Sequence, residues 1–259
     1  MKITIITATY NSGATLCDTM ESVLRQTYRD IEYLVIDGAS KDNTLDIVRN
    51  YEPMFNGKLK YISEPDKGIY DAMNKGIRMA TGDVVGILNS DDFYTTDTVL
   101  EQVAQAMAQT DTDAVYGDVH YVEDKDLSRS VRYYSSRYFK RSLMRFGFMP
   151  AHPSFYCRRK VYERYGAFDI SYKIAADFEN LLRLIFVNKI RTEYIPADFV
   201  TMRMGGASSS GLKSHRQIMK DHLRALKQNG VFSNVLFLCL RYPYKIGEVV
   251  WTRLTTRRN

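Results

Sequence analysis

Hydrophobic residues come in short runs and helical stripes that alternate along the first hundred positions. Ile3 to Thr7 is a β-branched run and predicts a buried strand. Leu16, Met20, Val23 and Leu24 then fall on one helical face. Tyr33 to Ile36 predicts a second strand, Thr44 to Tyr51 a helix capped by Asp42 or Asn43, and Leu59 to Ile62 a third strand. Ile69, Met73, Ile77 and Ala80 mark the next amphipathic helix. Val84 to Leu88 is then a short apolar run entered from the turn Thr81-Gly82-Asp83. Such alternation predicts an α/β domain with a parallel sheet flanked by helices.

The pattern loosens after Phe93. Val99, Val103 and Met107 predict a helix, and Ala114–Tyr116, Val119–Val122, Phe155–Cys157 and Thr201–Met204 predict strands. Residues 125–149 are basic and aromatic, which suits either a mobile lid or a solvated basic face. From Leu212 onward the chain reads as helical and basic. Val231 to Leu240 is apolar apart from Ser233 and Asn234, and Arg241, Lys245, Arg253, Arg257 and Arg258 follow among Tyr242, Tyr244 and Trp251. That mixture suits an interfacial segment on an anionic membrane. It equally suits a helix packed on the domain or on a second subunit.

Polar loops follow four successive strands: Thr9 to Gly13, Asp37 to Asn43, Glu64 to Gly68, and Asn89 to Asp92. In a parallel sheet all four open on one edge, where α/β proteins bind ligands. Asp91 and Asp92 stand side by side there. Two adjacent carboxylates repel one another and call for a cation, and oxygen-only ligands favour Mg²⁺ or Mn²⁺ over Zn²⁺. The same pair also suits a cap for the following turn. Farther on, Asp177 opens Asp-Phe-Glu-Asn-Leu-Leu at a predicted helix start, as an N-cap, a general base, or both. His152, alone before Pro153-Ser154, reads as a core or turn histidine.

Charge and composition narrow the classes. Residues 1–124 carry 10 Lys and Arg against 21 Asp and Glu, a net of −11, while residues 125–259 carry 26 against 9, a net of +17. The basic half implies an anionic partner, and with no nucleic-acid-binding motif beside it nucleic acid is not expected. Three widely spaced cysteines, Cys17, Cys157 and Cys239, predict free thiols in a reducing cytoplasm. No signal peptide or membrane-length apolar run is expected. The first strand is not followed by a G-x-G-x-x-G or a G-x-x-x-x-G-K-[ST], so a dinucleotide Rossmann domain and a P-loop are both disfavoured.

Five segments together carry a family resemblance: ITIITATYN at the start, VIDGASKDNT at 35–44, EPDKGIYDAMNKGI at 64–77 with ATGD at 80–83, LNSDD at 88–92, and AADFENLLRL at 175–184. In order and spacing they resemble the family 2 inverting glycosyltransferases of the GT-A fold, in particular the bacterial enzymes that build capsule, colanic-acid-like and O-antigen polysaccharides. The resemblance covers roughly residues 1–210. It implies a glycosyltransferase domain over 1–210, with a nucleotide-sugar-binding half to 124 and an acceptor half beyond it, then a basic helical extension over 211–259. It implies that Thr9 and Tyr10 lie against the base or ribose of a nucleotide-sugar donor, that Asp37 accepts a hydrogen bond from the base, and that Asp66 and Lys67 line the same pocket. LNSDD matches the D-x-D position, with Asn89 where the family has Asp. Asp91 is then the leading ligand of Mn²⁺ or Mg²⁺, Asp92 the second, and Asn89 a ribose contact. Asp177 matches the catalytic base, although Ala176 stands where the family often has Glu. The Gly205-Gly206-x-Ser208 stretch resembles a phosphate-contacting loop of the polysaccharide branch. The acceptor implied is a glycan or lipid-linked oligosaccharide, with the enzyme cytoplasmic and peripheral on the inner membrane face. Asn89 and Ala176 keep a second reading open, a non-catalytic sugar-nucleotide-binding subunit. A nucleotidyltransferase is the third.

Overall fold

The computed structural model describes residues 1–109, 111–205, 211–243 and 247. In chain order the first half is β1 (Ile3–Thr9), α1 (Leu16–Leu24), β2 (Ile31–Asp37), α2 (Thr44–Tyr51), β3 (Leu59–Ser63), α3 (Ile69–Met79) and β4 (Val84–Ile87). Then come β5 (Phe93–Tyr94), α4 (Val99–Gln109), β6 (Ala114–Glu123), β7 (Asp126–Tyr134), β8 (Phe155–Arg158), α5 (Arg159–Tyr165), α6 (Ala176–Leu181), β9 (Thr192–Arg203), α7 (Gly211–Gln228) and α8 (Val235–Cys239). The first four strands and three helices fall where the apolar pattern placed them.

All nine strands form one sheet in the order β3-β2-β1-β4-β8-β6-β9-β5, with β7 paired to β6. The β3-β2-β1-β4 half is wholly parallel. Every residue of β1, β2 and β4 is buried, because helices cover both faces and leave no solvated side to require alternation. Ile3, Ile5, Tyr33 and Val35 pack toward α1, α2 and α4. Ile6, Ala8, Leu34 and Ile36 pack toward α3 and the α6 region.

The second half is mixed. β8 runs antiparallel to both β4 and β6, and β9 is parallel to β6 but antiparallel to β5. At the β4–β8 seam Gly86 lies opposite Tyr156, and a Cβ on Gly86 would sit 2.1 Å from Tyr156 Cε1. Tyr156 is fully buried and its hydroxyl is 2.6 Å from that of Tyr94. That ring fills the space a side chain on β4 would occupy.

Of the two alternatives for residues 125–149, the structure fits the solvated face: Asp126–Tyr134 is β7, hairpin-paired to β6, and Arg141–Phe146 is a 3-10 turn. β7 is largely solvent-facing, so it lacks the apolar alternation that announces a half-buried strand. One expectation is corrected. The last strand is not the short Thr201–Met204 piece but twelve residues, Thr192–Arg203. Among the described residues no helix is long and apolar enough to cross a membrane. The Gly206–Ser210 stretch and nearly all of the chain past Pro243 lie outside the described residues.

The Gly86–Tyr156 contact yields a stability prediction. Gly86→Ala should cost about 1–3 kcal/mol, the usual size of overpacking, read as a lower denaturant midpoint with an unchanged slope. An unchanged midpoint would mean that the seam yields to an added methyl group.

Candidate active site at the carboxyl edge of the sheet

Four strand ends converge as the alternation implied, and their loops are laced together. Asn11, in the left-handed region at φ 50°, receives Lys41 N–H on its Oδ1 (2.9 Å) and donates its own N–H to Ser40 Oγ (2.7 Å). Ser12 N–H reaches Thr44 Oγ1 at 2.8 Å, and Gly13 N–H reaches Asp42 Oδ2 at 2.9 Å. The loop after β1 is therefore held against the loop after β2.

Asp37 ends β2 with no exposed surface. Its Oδ2 accepts from Ser40 N–H (3.0 Å) and Ser63 Oγ (2.6 Å), and its Oδ1 from Ser40 Oγ (2.5 Å). It braces the strand ends from inside. Tyr10 is the reverse, 60% exposed. A Cβ on Gly38 would lie 2.6 Å from Asp66 Oδ2 and 3.3 Å from the Tyr10 ring, so Tyr10, Gly38 and Asp66 meet beside Asp37. Lys67 is exposed, with its N–H on Asp71 Oδ2 (3.0 Å). Thr9 is buried and its hydroxyl has no partner.

Side chains from the first loop and α1 hold the loop after β4. Ser12 Oγ is 2.8 Å from Ser90 Oγ, Thr15 Oγ1 donates to Ser90 O (2.8 Å), and Thr19 Oγ1 donates to Asp92 O (2.7 Å). Asn89 Nδ2 donates to Asp92 Oδ2 at 2.8 Å, leaving the buried Asn89 Oδ1 without a partner. Asp91 is half-buried and Asp92 buried. Burial pushes the carboxyl of Asp91 above the usual range, against the pull of Arg203 and His152. Burial and the charge of Asp91 push Asp92 further up. Among the described residues no three His, Cys, Asp or Glu side chains cluster as a closed metal cage. A crowded carboxylate pair without a third protein ligand fits Mg²⁺ or Mn²⁺, which commonly takes one or two carboxylates and completes its shell with substrate phosphates and water.

Asp177 sits across the β4–β8 seam. It is not the N-cap: Ala175 holds that position, and Asp177 lies within the first turn of α6, where its Oδ1 accepts from Phe178 N–H at 2.8 Å. The helix starts two residues earlier than an Asp177 N-cap implied, and the other carboxylate oxygen is clear of the backbone. That oxygen, Oδ2, is 3.8 Å from His152 Nδ1. Burial pushes the Asp177 carboxyl up; His152, the Phe178 N–H and Tyr70 pull the other way. Burial pushes His152 down, and its Nε2 is buried without a partner. A cavity of about 10 Å³, the space of one water, is lined by His152, Asp177, Asn180 and, from β4, Ile87.

Two residues of this site were not read as functional from the sequence. His152 pairs with a residue 25 positions later, and no spacing signals that contact. Arg203 closes β9 with its guanidinium paired to Asp18 and to Asp124 (3.5 Å), 5.6 Å from the Phe93 ring centre, beside Asp91 and Asp92. Its only local signal is a cation at the carboxyl end of an apolar strand.

The chain belongs to glycosyl transferase family 2, whose description matches residues 4–166. Its fold is GT-A, and it is a glycosyltransferase. A PGL/p-HBAD biosynthesis glycosyltransferase of Mycobacterium tuberculosis is 31% identical over 252 residues, covering 96% of this chain and 94% of that protein. Among solved structures, S. aureus TarS 1–349 in complex with UDP-GlcNAc superposes with a TM-score of 0.68 at 20% identity, over 87% of this chain and 66% of that one. The mannosyltransferase PcManGT from Pyrobaculum calidifontis, in complex with GDP-Man and Mn²⁺, gives 0.66 at 18% identity over 99% of this chain and 75% of that one.

The raised carboxyls carry a stability consequence. With a folded pKa above the unfolded value, the folded state holds the extra proton, so stability present below the unfolded pKa is lost as pH rises through the folded one. Asp92→Asn should therefore melt at a higher temperature than wild type at pH 7 without metal, and the gap should close toward pH 4. An equal or lower melting temperature at pH 7 would show that the pair carries no such strain.

Proposed function

We propose that this chain is an inverting, metal-dependent glycosyltransferase that moves a sugar from a nucleoside-diphosphate donor to a hydroxyl of a growing, lipid-linked cell-surface glycan. The observation that carries the reading is Asp177: a half-buried carboxylate with one oxygen free of the backbone, lining a cavity that reaches β4 two residues before Asn89. The grouping of Tyr10, Gly38 and Asp66 beside Asp37, and the UDP-GlcNAc and GDP-Man complexes of the fold neighbours, both nucleoside-diphosphate sugars, support that donor class. The polysaccharide-branch resemblance and the basic half of the chain support the acceptor.

In this reading Tyr10 takes the base or ribose on its exposed ring, Thr9 offers the free hydroxyl beneath it, and Asp66 and Lys67 edge the pocket. Asp37 keeps its place at the base while bracing the loops, so its oxygens are shared between Ser40, Ser63 and donor. Asn89 Oδ1 takes a ribose hydroxyl. Asp91, with Asp92 behind it, holds the divalent ion, which when bound supplies Lewis-acid stabilisation of the leaving diphosphate. Arg203 adds fixed positive potential at the same point. Asp177 accepts the acceptor hydroxyl proton as that oxygen attacks the anomeric carbon; the new carbon–oxygen bond forms on the face opposite the breaking one, and the nucleoside diphosphate leaves with the electron pair. His152 is a positioning residue that fixes the Asp177 carboxylate. We place the enzyme at the cytoplasmic face of the membrane, held as a peripheral protein through residues 231–259.

Asp177→Asn should lower kcat about 10²–10⁴-fold, the size of a lost general base, with donor affinity unchanged. Turnover in wild type should fall on the acid side at a pH above the ordinary carboxylate range, since only ionised Asp177 accepts a proton and burial raises its pKa. His152→Ala removes a group that pulls Asp177 down, so the acid limb should move to higher pH. Wild-type turnover in Asp177→Asn would remove Asp177 from the reaction. An unmoved limb in His152→Ala would leave His152 a purely structural role.

A further inference from the structure

The loop that carries Asp66 and Lys67 and the helix that carries Asp177 are both fastened to α3. On the loop side, Lys75 Nζ donates to Pro65 O at 2.9 Å and pairs with Glu64 at 2.9 Å. Asp71 Oδ2 accepts the Lys67 N–H, and Asp66 Oδ1 accepts the Gly68 N–H at 2.8 Å. The loop is thus stitched along the first two turns of the helix. The helix in turn lies directly on β1, because a Cβ on Gly76 would sit 2.4 Å from Ile6 Cγ2.

Tyr70 and Asn74, one turn apart on α3, reach the segment that leads into α6. Asn74 Nδ2 donates to Phe168 O at 2.8 Å while its Oδ1 accepts the Phe168 N–H at 2.9 Å, so one side-chain amide satisfies both backbone groups of that residue. Tyr70 stacks on the Phe168 ring with centres 5.7 Å apart, and its hydroxyl donates to Ile174 O, three residues before Asp177. Tyr70, Asn74 and Phe168 are all buried. Asp221 of α7 completes the hold, its Oδ2 accepting from the N–H groups of Ile174 (3.3 Å) and Ala175 (3.4 Å). The titratable groups facing Asp177 are therefore Tyr70 from α3 and His152 from the turn before β8, with Asp221 behind Tyr70 and Asp91 beyond His152. The Tyr70 hydroxyl bears on the Asp177 carboxyl itself and pulls it down.

Apolar side chains of the same volume would bury this segment equally well. The polar atoms of Tyr70 and Asn74 do something else: they fix where the backbone entering α6 lies. We infer that Tyr70 and Asn74 are positioning residues for Asp177, setting its carboxylate from the same helix that holds the Asp66–Lys67 loop. One rigid element then spaces the base from the donor, and a misplacement of about 1 Å at such a site costs on the order of 10²-fold in rate. This rests on the reading of Asp177 as the base and of Asp66 and Lys67 as donor contacts.

Carbon-13 NMR of the Asp177 carboxyl in the resting full chain, followed against pH, tests the contact without donor or acceptor. In Tyr70→Phe, which keeps the stacked ring, the midpoint should rise, because a group that pulls the carboxyl down is gone. Turnover, read as hydrolysis of UDP-GlcNAc or GDP-Man in Mn²⁺, should fall about tenfold or more in Tyr70→Phe and in Asn74→Ala. KM for the sugar nucleotide should stay within about twofold of wild type, and the acid limb of Tyr70→Phe should move to higher pH with the NMR midpoint. An unmoved midpoint in Tyr70→Phe would overturn the inference, as would variants that lose only melting temperature or only donor affinity while keeping kcat. Wild-type turnover in Asp177→Asn beside a raised midpoint in Tyr70→Phe would remove the base reading, and the positioning role with it, while the contact itself stood.

Discussion

Everything at this site depends on the cost of holding two adjacent carboxylates at the end of a buried strand. β4 is covered on both faces, so the loop that leaves it starts in a low-dielectric setting. Asp92 cannot retreat to solvent because Thr19, Asn89 and the first loop hold it, and Asp91 adds like charge beside it. Such a pair is stable in only two ways: it keeps a proton, or it gains a cation. Arg203 supplies part of that cation, but its guanidinium is shared with Asp18 and Asp124. In the proposed mechanism the remainder would be supplied by a divalent ion, and through that ion the pair would hold the donor diphosphate. On the proposed mechanism, fold stability and donor chemistry would be opposite faces of one electrostatic constraint.

The sheet explains how Asp177, the proposed base, comes near the same site from 86 positions away. A wholly parallel half would place helices on both faces and keep the carboxyl edge open. β8, antiparallel to β4, instead carries the chain back across the seam and delivers His152 just before it enters the sheet. α6 then packs below, with Asp177 and Asn180 lining the cavity that Ile87 closes from β4. Gly86 is the steric condition for that seam, because Tyr156 occupies the volume its side chain would need. The proposed donor loops belong to the parallel half and the proposed base to the mixed half, and one tyrosine ring wedges the two halves together.

What the sequence made legible follows from how local the deciding contacts are. β1 to β4 and α1 to α3 were readable because each is a strong apolar run or stripe buried by its immediate neighbours, and their loops then had to share an edge. Asp91, Asp92 and Asp177 were readable as carboxylates in telling places. β7 was not, because a strand paired on a solvated hairpin has no buried face to pattern. Most of β9 was hidden by Pro196, which the structure accommodates where four residues of β9 span two of β6 between Tyr116 and Asp118, a bulged stretch that tolerates a missing donor. Asp37 read as a donor contact alone, yet its bonds to Ser40 and Ser63 make it a brace as well, since Ser63 comes from a different strand. His152 and Arg203 owe their places to partners far along the chain, and no window of sequence contains both members of either pair.

The most direct test of this account is a calorimetric titration of wild type and Asp91→Asn with UDP- and GDP-sugars, each with and without Mn²⁺. The account predicts that one nucleotide class binds wild type at least tenfold more tightly with Mn²⁺, and that Asp91→Asn keeps the metal-free affinity but loses the enhancement. Equally tight donor binding by wild type with and without metal, or full enhancement in Asp91→Asn, would contradict the claim that the buried pair at the end of β4 is the seat of metal and diphosphate.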